Sequence, residues 1–298
     1  MILPTSFYGC ELLPILRGKN YDLVERTQRY FARCIQGLSK RHSSASVLGN
    51  LGLWSMDGYI DKCRLLFLGK LCNSKCNSSF KDIFCVHLAT CHCRTFVSHN
   101  ICDTLIETCI KYNIFTYLSE YLDSGNFPCK SSWRKTVLTR VNEFESKTWV
   151  VQVCIRPDMY RYHLTHNVFG VHRLYYLMYF YPQFRDIIQL CVKISSRAKF
   201  SKHCELCDRH CNDYDCHIIL HCEHFMYSRN NFFSKLIDLL DVNVYVEIEM
   251  LSEDEMISLF SGGDLPLTTA IDKMSWRCMI ILFRKFLYTM SHTLNCTF

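Results

Sequence analysis

Tyr21-Asp-Leu-Val-Glu-Arg-Thr-Gln-Arg-Tyr30-Phe-Ala-Arg-Cys-Ile-Gln-Gly-Leu38 is the stretch whose pattern sets the fold class. Leu23, Thr27, Tyr30, Phe31, Cys34, Ile35 and Leu38 recur at intervals of three and four, the spacing of one helix face, and Gly37 supplies a carboxy-terminal stop. The spacing predicts an amphipathic helix whose apolar side faces a core and whose opposite side carries Arg26, Arg29 and Arg33. The same period recurs outward along the chain. A polar break over 39–46 precedes a helical segment at 56–71 (Ile60, Cys63, Phe67, Leu71), and others follow at 101–121, 133–144, 168–181, 184–194, 232–240 and 256–260. Ser252-Glu-Asp-Glu255 fits a capping box, in which serine and glutamate satisfy each other's unpaired amides at a helix start, and Gly262-Gly263 ends that helix. One segment has the other period. Val242, Val244, Val246 and Ile248 alternate with Asn243, Tyr245 and Glu247, which predicts a short strand. The expected fold class is mainly α.

Composition agrees with this pattern. Six prolines and eleven glycines in 298 residues are too few for a collagen-like, low-complexity or turn-rich all-β chain. An apolar share of 49% excludes a wholly disordered one. No run approaches the ~18 apolar residues of a membrane span: the stretch 274–290 is broken by Arg277, Arg284 and Lys285. Met1 to Cys10 has neither a basic start nor a sustained apolar core, so no secretory signal is read there. The twenty cysteines are therefore expected to be mostly reduced thiols of an intracellular protein, cytoplasmic or nuclear.

The net charge of +6 is unevenly distributed. Nine acidic residues and no Lys or Arg lie between Asp238 and Asp272, which leaves +15 on the rest of the chain. The positive charge gathers in three places: around Arg26, Arg29 and Arg33; around Lys130, Arg134 and Lys135; and around Arg197, Lys199 and Lys202. Such stretches suit a phosphate backbone, where each neutralised phosphate releases counterions, although a solvated helix face has the same composition.

The strongest chemical motif is Cys204-Glu-Leu-Cys207, then nine residues to His217, then four to Cys222. Two cysteines separated by two residues put both sulfurs on one side of a turn, and the downstream His and Cys complete a tetrahedron suited to Zn2+. The set is closed, so the ion it implies is structural rather than catalytic. Cys211, Cys216, His221 and His224 stand close enough in sequence to compete for a ligand position. A second cluster, Cys72, Cys76, Cys85, His87, Cys91 and Cys93, lacks the two-residue knuckle and reads as buried thiols acting as small hydrophobes.

Several strings share a family likeness. Tyr8-Gly-Cys10-Glu11-Leu, Val24-Glu25-Arg26-Thr-Gln28-Arg29-Tyr30-Phe31 and Leu48-Gly-Asn-Leu-Gly52-Leu, then Phe127-Pro128-Cys-Lys130-Ser-Ser-Trp133-Arg134-Lys135, then the CCHC set followed by Arg229, together resemble the region downstream of the polymerase palm in reverse transcriptases of non-LTR, LINE-type retrotransposons. The resemblance runs from about residue 5 to 265. It implies a thumb-like helical region over 1–75, a helical linker over 76–195, a zinc-binding knuckle over 196–230 and a helical carboxy-terminal region with the acidic segment over 231–298. It also implies that Cys204, Cys207, His217 and Cys222 are ligands, that Arg26, Arg29 and Arg33 contact a template and primer, and that RNA, DNA and the polymerase region of a related element protein are partners. If the thumb's usual packing surface is a palm, an apolar patch should stand exposed on the amino-terminal helices.

The chain departs from the family at the chemistry. It has no aromatic-x-Asp-Asp string, so the paired carboxylates that hold two metals for nucleotidyl transfer are missing. Arg156-Pro157-Asp158 has no following Glu-x-Lys and reads as a turn rather than a nuclease motif. The expected function is thus non-catalytic nucleic-acid binding. The alternative is a zinc-stabilised protein-interaction module. A cysteine-nucleophile enzyme is disfavoured because abundant Cys and His make chance pairs common and no activating context is readable.

Overall fold

The computed structural model describes residues 9–10, 19–40, 42–73, 82–86, 88, 101–180, 185–196, 199–263 and 265–294. Among them the chain is mostly helical. None of their helices is long and apolar enough to cross a membrane. The chain forms two compact units, one from 1–28 with 54–148 and the other from 29–53 with 149–298.

Helix α1 (Lys19–Gln36) begins and ends two residues earlier than the expected 21–38, and its faces are reversed. Leu23, Tyr30, Phe31 and Ile35, read as core, are 64%, 63%, 54% and 73% exposed. The buried side presents Glu25, Gln28, Ala32 and Gln36 instead. Each of its buried polar side chains makes at least one hydrogen bond. Gln28 Nε2 donates to Trp54 O (2.9 Å), the Met56 amide donates to Glu25 Oε1 (2.8 Å), and Gln36 Nε2 donates to Ala32 O and Val47 O. Periodicity identifies an amphipathic helix, and here its apolar side is the one left open.

In the first unit, α3 (Met56–Cys72), α4 (Ile101–Lys111), α5 (Phe115–Ser124) and α6 (Lys130–Cys154) enclose a core of Leu65, Leu68, Leu105, Ile114, Leu118, Trp133, Val137 and Val141. The segment 101–121, read as one helix, is two. Asn113 takes a left-handed φ of 53°, and the Ile114 amide closes back on Cys109 O (2.9 Å), ending α4 before α5 begins. The Trp133 indole is the keystone: it is 2% exposed and donates to Leu65 O at 2.7 Å. It lies 4.7 Å from the Phe127 ring, centroid to centroid. The Phe127-Pro128 and Trp133 string is therefore a packing unit, with its basic residues on the outside. Gly69 faces the same indole, and a Cβ there would overlap the ring.

The second unit contains α2 (Ser44–Gly49), α7 (Tyr160–Thr165), α8 (Arg173–Phe180), α9 (Arg185–Ser195), a hairpin of β1 (Lys202–Cys204) and β2 (Arg209–Cys211), and helices α10 (Met226–Leu239), α11 (Val242–Glu249), α12 (Glu253–Phe260) and α13 (Lys273–Leu294). Its core joins Leu174, Ile194, Ile218, Phe225, Phe232, Ile257, Phe260 and Phe283. Arg156-Pro157-Asp158 leads into a 3-10 turn at Pro157–Met159, as its turn reading requires. The capping box at Ser252 and Glu255 forms with both reciprocal hydrogen bonds.

The expected strand at 242–248 is helix α11. Asp241 accepts from the Asn243 amide (2.8 Å) and so caps a helix start. Among the described residues the only sheet is the β1–β2 pair, so a strand here would have no ladder to join. Helical hydrogen bonds satisfy the backbone locally, and only Ile248 is fully buried, with Val242 and Val246 exposed.

Candidate metal centre

The hairpin builds the first half of the centre. β1 and β2 pair antiparallel with Cys204 opposite Arg209, and the turn between them carries Cys207. The Asp208 amide donates to Cys204 O at 2.9 Å, and Asp208 adopts φ 58°, a left-handed conformation that short polar residues tolerate. The second half comes from a tight turn. Asp213 accepts from the Cys216 amide (3.2 Å), Tyr214–Cys216 forms one helical turn, and His217–His221 continues with a wider π-type turn. The Cys222 amide closes it on His217 O at 2.7 Å. Ile218 and Ile219 are fully buried in the unit's core and anchor the turn.

These two pieces bring the four expected ligands together. The donor atoms of Cys204, Cys207, His217 and Cys222 all lie within 4.8 Å of one another. Cys204 Sγ and Cys222 Sγ are 3.9 Å apart, and Cys207 Sγ is 3.2 Å from His217 Nε2. A zinc tetrahedron with bonds of about 2.3 Å to sulfur and about 2.0–2.1 Å to nitrogen requires edges of roughly 3.8 and 3.6 Å, so only small adjustments separate this geometry from a ligated one. Cys204 and Cys222 are fully buried, His217 is buried and Cys207 is half-buried. The donor set fits Zn2+, closed on four protein ligands.

Local electrostatics suit the role. Burial, then the positive neighbours His221, Arg209 and Arg229, holds the His217 imidazole below its ordinary range, which keeps it neutral and able to ligate. Burial opposes ionisation of Cys204, yet the amides of Leu206 and Cys207 and the neighbouring thiols outweigh it and lower its thiol. Burial and the nearby Cys204 push Cys222 up to about 12. Without a cation the cluster thus prefers few thiolates at once, and a bound divalent ion reverses that preference. Arg229 donates to Cys222 O at 3.1 Å and fixes the last ligand's backbone.

Of the competing residues, Cys211 Sγ bonds back to Arg209 O (3.4 Å) and His224 packs its ring on Phe225 (5.2 Å); neither joins the four donors, although the Cys211 thiol lies close enough to Cys204 and Cys207 to be raised by them as well as by burial. Cys216 and His221 turn to the other side of the same turn, toward Glu253 at the start of α12: Cys216 Sγ is 3.0 Å from Glu253 Oε2, and His221 Nε2 is 2.6 Å from Glu253 Oε1. Sequence spacing gave no sign of Glu253, which lies 31 residues beyond Cys222. Its only local signal is the capping box that starts α12. In the cluster from Cys72 to Cys93, Cys76, His87, Cys91 and Cys93 lie outside the described residues.

The basic candidates differ in placement. Lys130, Arg134 and Lys135 are exposed on the first turns of α6 and make no ion pair among the described residues. Arg26 is exposed on α1. Arg29 and Arg33 are half-buried, donating to Ser44 Oγ (3.4 Å) and His42 O (3.2 Å). Lys199 pairs with Asp254 (2.6 Å), and Lys202 pairs with Glu205 (3.3 Å) and lies over the Tyr214 ring. Arg197 lies outside the described residues. Arg161, 1% exposed, pairs with Asp213 and with Asp254 (3.1 Å), tying the ligand turn to α12.

No family model, curated protein or solved structure matches this chain.

Proposed function

We propose that the chain is a non-catalytic nucleic-acid-binding module of the LINE-type reverse-transcriptase kind, in which a structural zinc knuckle and helical thumb-like and linker regions grip element RNA or target DNA. The observation that carries the reading is the row Lys130, Arg134 and Lys135, three cations on one helix end that make no ion pair among the described residues and whose aromatic neighbours, Phe127 and Trp133, are committed to the core. Positive charge presented on a rigid helix without acidic partners is an electrostatic footprint for phosphates. Arg26 adds to it. The CCHC geometry supports the knuckle, and because no aromatic-x-Asp-Asp string is present in this sequence, the reading is one of binding rather than nucleotidyl transfer.

A second reading, a zinc-stabilised protein-interaction module, draws on the open face of Tyr30, Phe31 and Ile35. Under the first reading the same face meets the polymerase region of a related element protein, so the two differ in whether nucleic acid binds at all. Titrating the zinc-loaded protein with labelled single-stranded RNA and duplex DNA over a series of salt concentrations separates them. Binding should weaken linearly in log salt, and Lys130→Ala, Arg134→Ala and Lys135→Ala together should reduce the slope by about 2–3, because each phosphate neutralised contributes about 0.7–0.9. No binding, or equal slopes for the wild type and the triple variant, defeats the reading. A protein partner that copurifies without nucleic acid then favours the second.

A further inference from the structure

The pairs Cys216–His217 and His221–Cys222 stand at the two ends of one π-type turn. The second member of each pair, His217 and Cys222, belongs to the CCHC set, and the first members, Cys216 and His221, converge with Glu253 so that their sulfur, nitrogen and oxygen donors all lie within 4.8 Å of one another. We propose that Cys216, His221 and Glu253 form a second, separate metal site that takes a zinc-class divalent cation and leaves its remaining coordination position to solvent or to an incoming oxygen ligand.

Three features of the structure support a site rather than a chance meeting. The turn that shapes the first centre also fixes Cys216 and His221, so two of the three donors are held by a backbone already ordered for other reasons. The third is fixed as well. Ser252 and Glu255 do the capping of α12, which leaves Glu253, the first residue of that helix, with its carboxylate turned to the cysteine on one oxygen and to the histidine on the other. Arg161, joined to Asp213 and Asp254 on either side, braces the ligand turn against the helix that brings the glutamate.

The chemistry of the donors selects the ion. A sulfur, imidazole and carboxylate set disfavours magnesium and calcium, which take oxygen ligands, and suits zinc or cobalt. Exposure distinguishes this site from the first. His221 and Glu253 side chains are 50% and 59% exposed, whereas the CCHC set is mostly buried, so water reaches the second site and its fourth position stays open. Exchange there should be fast and affinity weaker than in the closed centre.

The competing account is a hydrogen-bonded clasp, in which Cys216 and His221 do no more than fasten Glu253. Metal counting on the full chain separates the two. Dialysed against a small excess of Zn2+ and then measured by native mass spectrometry, the wild type should hold about two ions, and His221→Ala and Glu253→Gln about one each. Glu253→Gln keeps the shape and a hydrogen bond to each neighbour while weakening ligation, and unchanged helical circular dichroism will show that it folds. Because these variants leave all four CCHC donors in place, the ion they retain reports the first centre independently. In cobalt-loaded protein, Cys216→Ser should lose one thiolate-to-metal band while the bands of the closed centre persist. One ion per chain in wild type and variants alike, with no change in the cobalt spectrum, overturns the proposal and leaves the clasp.

Discussion

Cys204→Ala, or chelation of the metal in the wild type, should lower the thermal midpoint of the second unit by roughly 10 °C or more. Structural zinc in such knuckles binds with apparent free energies of about 10–16 kcal/mol, and even an ion present at 1,000 times its Kd stabilises by about 4 kcal/mol. A unit of this size shifts by about 2–4 °C per kcal/mol. The effect should not stay local. Cys204, Cys222, Ile218, Ile219 and Phe225 belong to the same core as Ile257, Phe260 and Phe283, so releasing the turn exposes apolar surface shared with α12 and α13. Cys191→Ala is the matched control: Cys191 is fully buried in that core but is no ligand, and its loss should cost only about 1 kcal/mol. Thermal scans of the two variants with and without chelator check the prediction. Equal, small shifts for Cys204→Ala and Cys191→Ala would show that the knuckle cysteines are packing residues.

The second large effect belongs to the first unit. Trp133→Ala should destabilise it by about 3–5 kcal/mol, since it removes the largest buried side chain of that core, a cavity forms where the indole stood, and Leu65 O loses its donor. Gly69→Ala attacks the same contact from the other side. The added methyl overlaps the buried indole, which must shift to make room, at a cost of about 1–3 kcal/mol. Urea unfolding followed by tryptophan-independent circular dichroism measures both. A loss below about 1 kcal/mol for Trp133→Ala would mean that Phe127 and Tyr117 refill the space and that the indole is not the keystone.

How much of this was legible in the sequence depends on the range over which each feature is encoded. Helix positions were readable, because periodicity and caps act within one or two turns: α1, α3 and the capping box at Ser252 fall where the pattern puts them. Which side of α1 is covered was not readable. Gln28 and Gln36 are buried only because Trp54 and Val47 offer carbonyls from elsewhere in the chain, and Tyr30, Phe31 and Ile35 stand exposed although they carry the apolar signal. The segment 242–249 shows the converse. Its alternating valines fit a strand, but a strand needs a neighbour, and the Asp241 cap offers a helix at once. At the metal centre, spacing brought out Cys204, Cys207, His217 and Cys222, because a knuckle is a local device. It gave no sign of Glu253, whose meeting with Cys216 and His221 depends on how α12 packs against the ligand turn.

The zinc knuckle is the claim on which the rest is built, and X-ray absorption at the zinc edge tests it most directly. A chain carrying His221→Ala and Glu253→Gln confines the metal to the first centre. Its ion should show three sulfurs at about 2.3 Å and one nitrogen at about 2.0–2.1 Å, the shell of a closed CCHC site. A shell containing oxygen, fewer than three sulfurs, or no retained ion would contradict the assignment of Cys204, Cys207, His217 and Cys222.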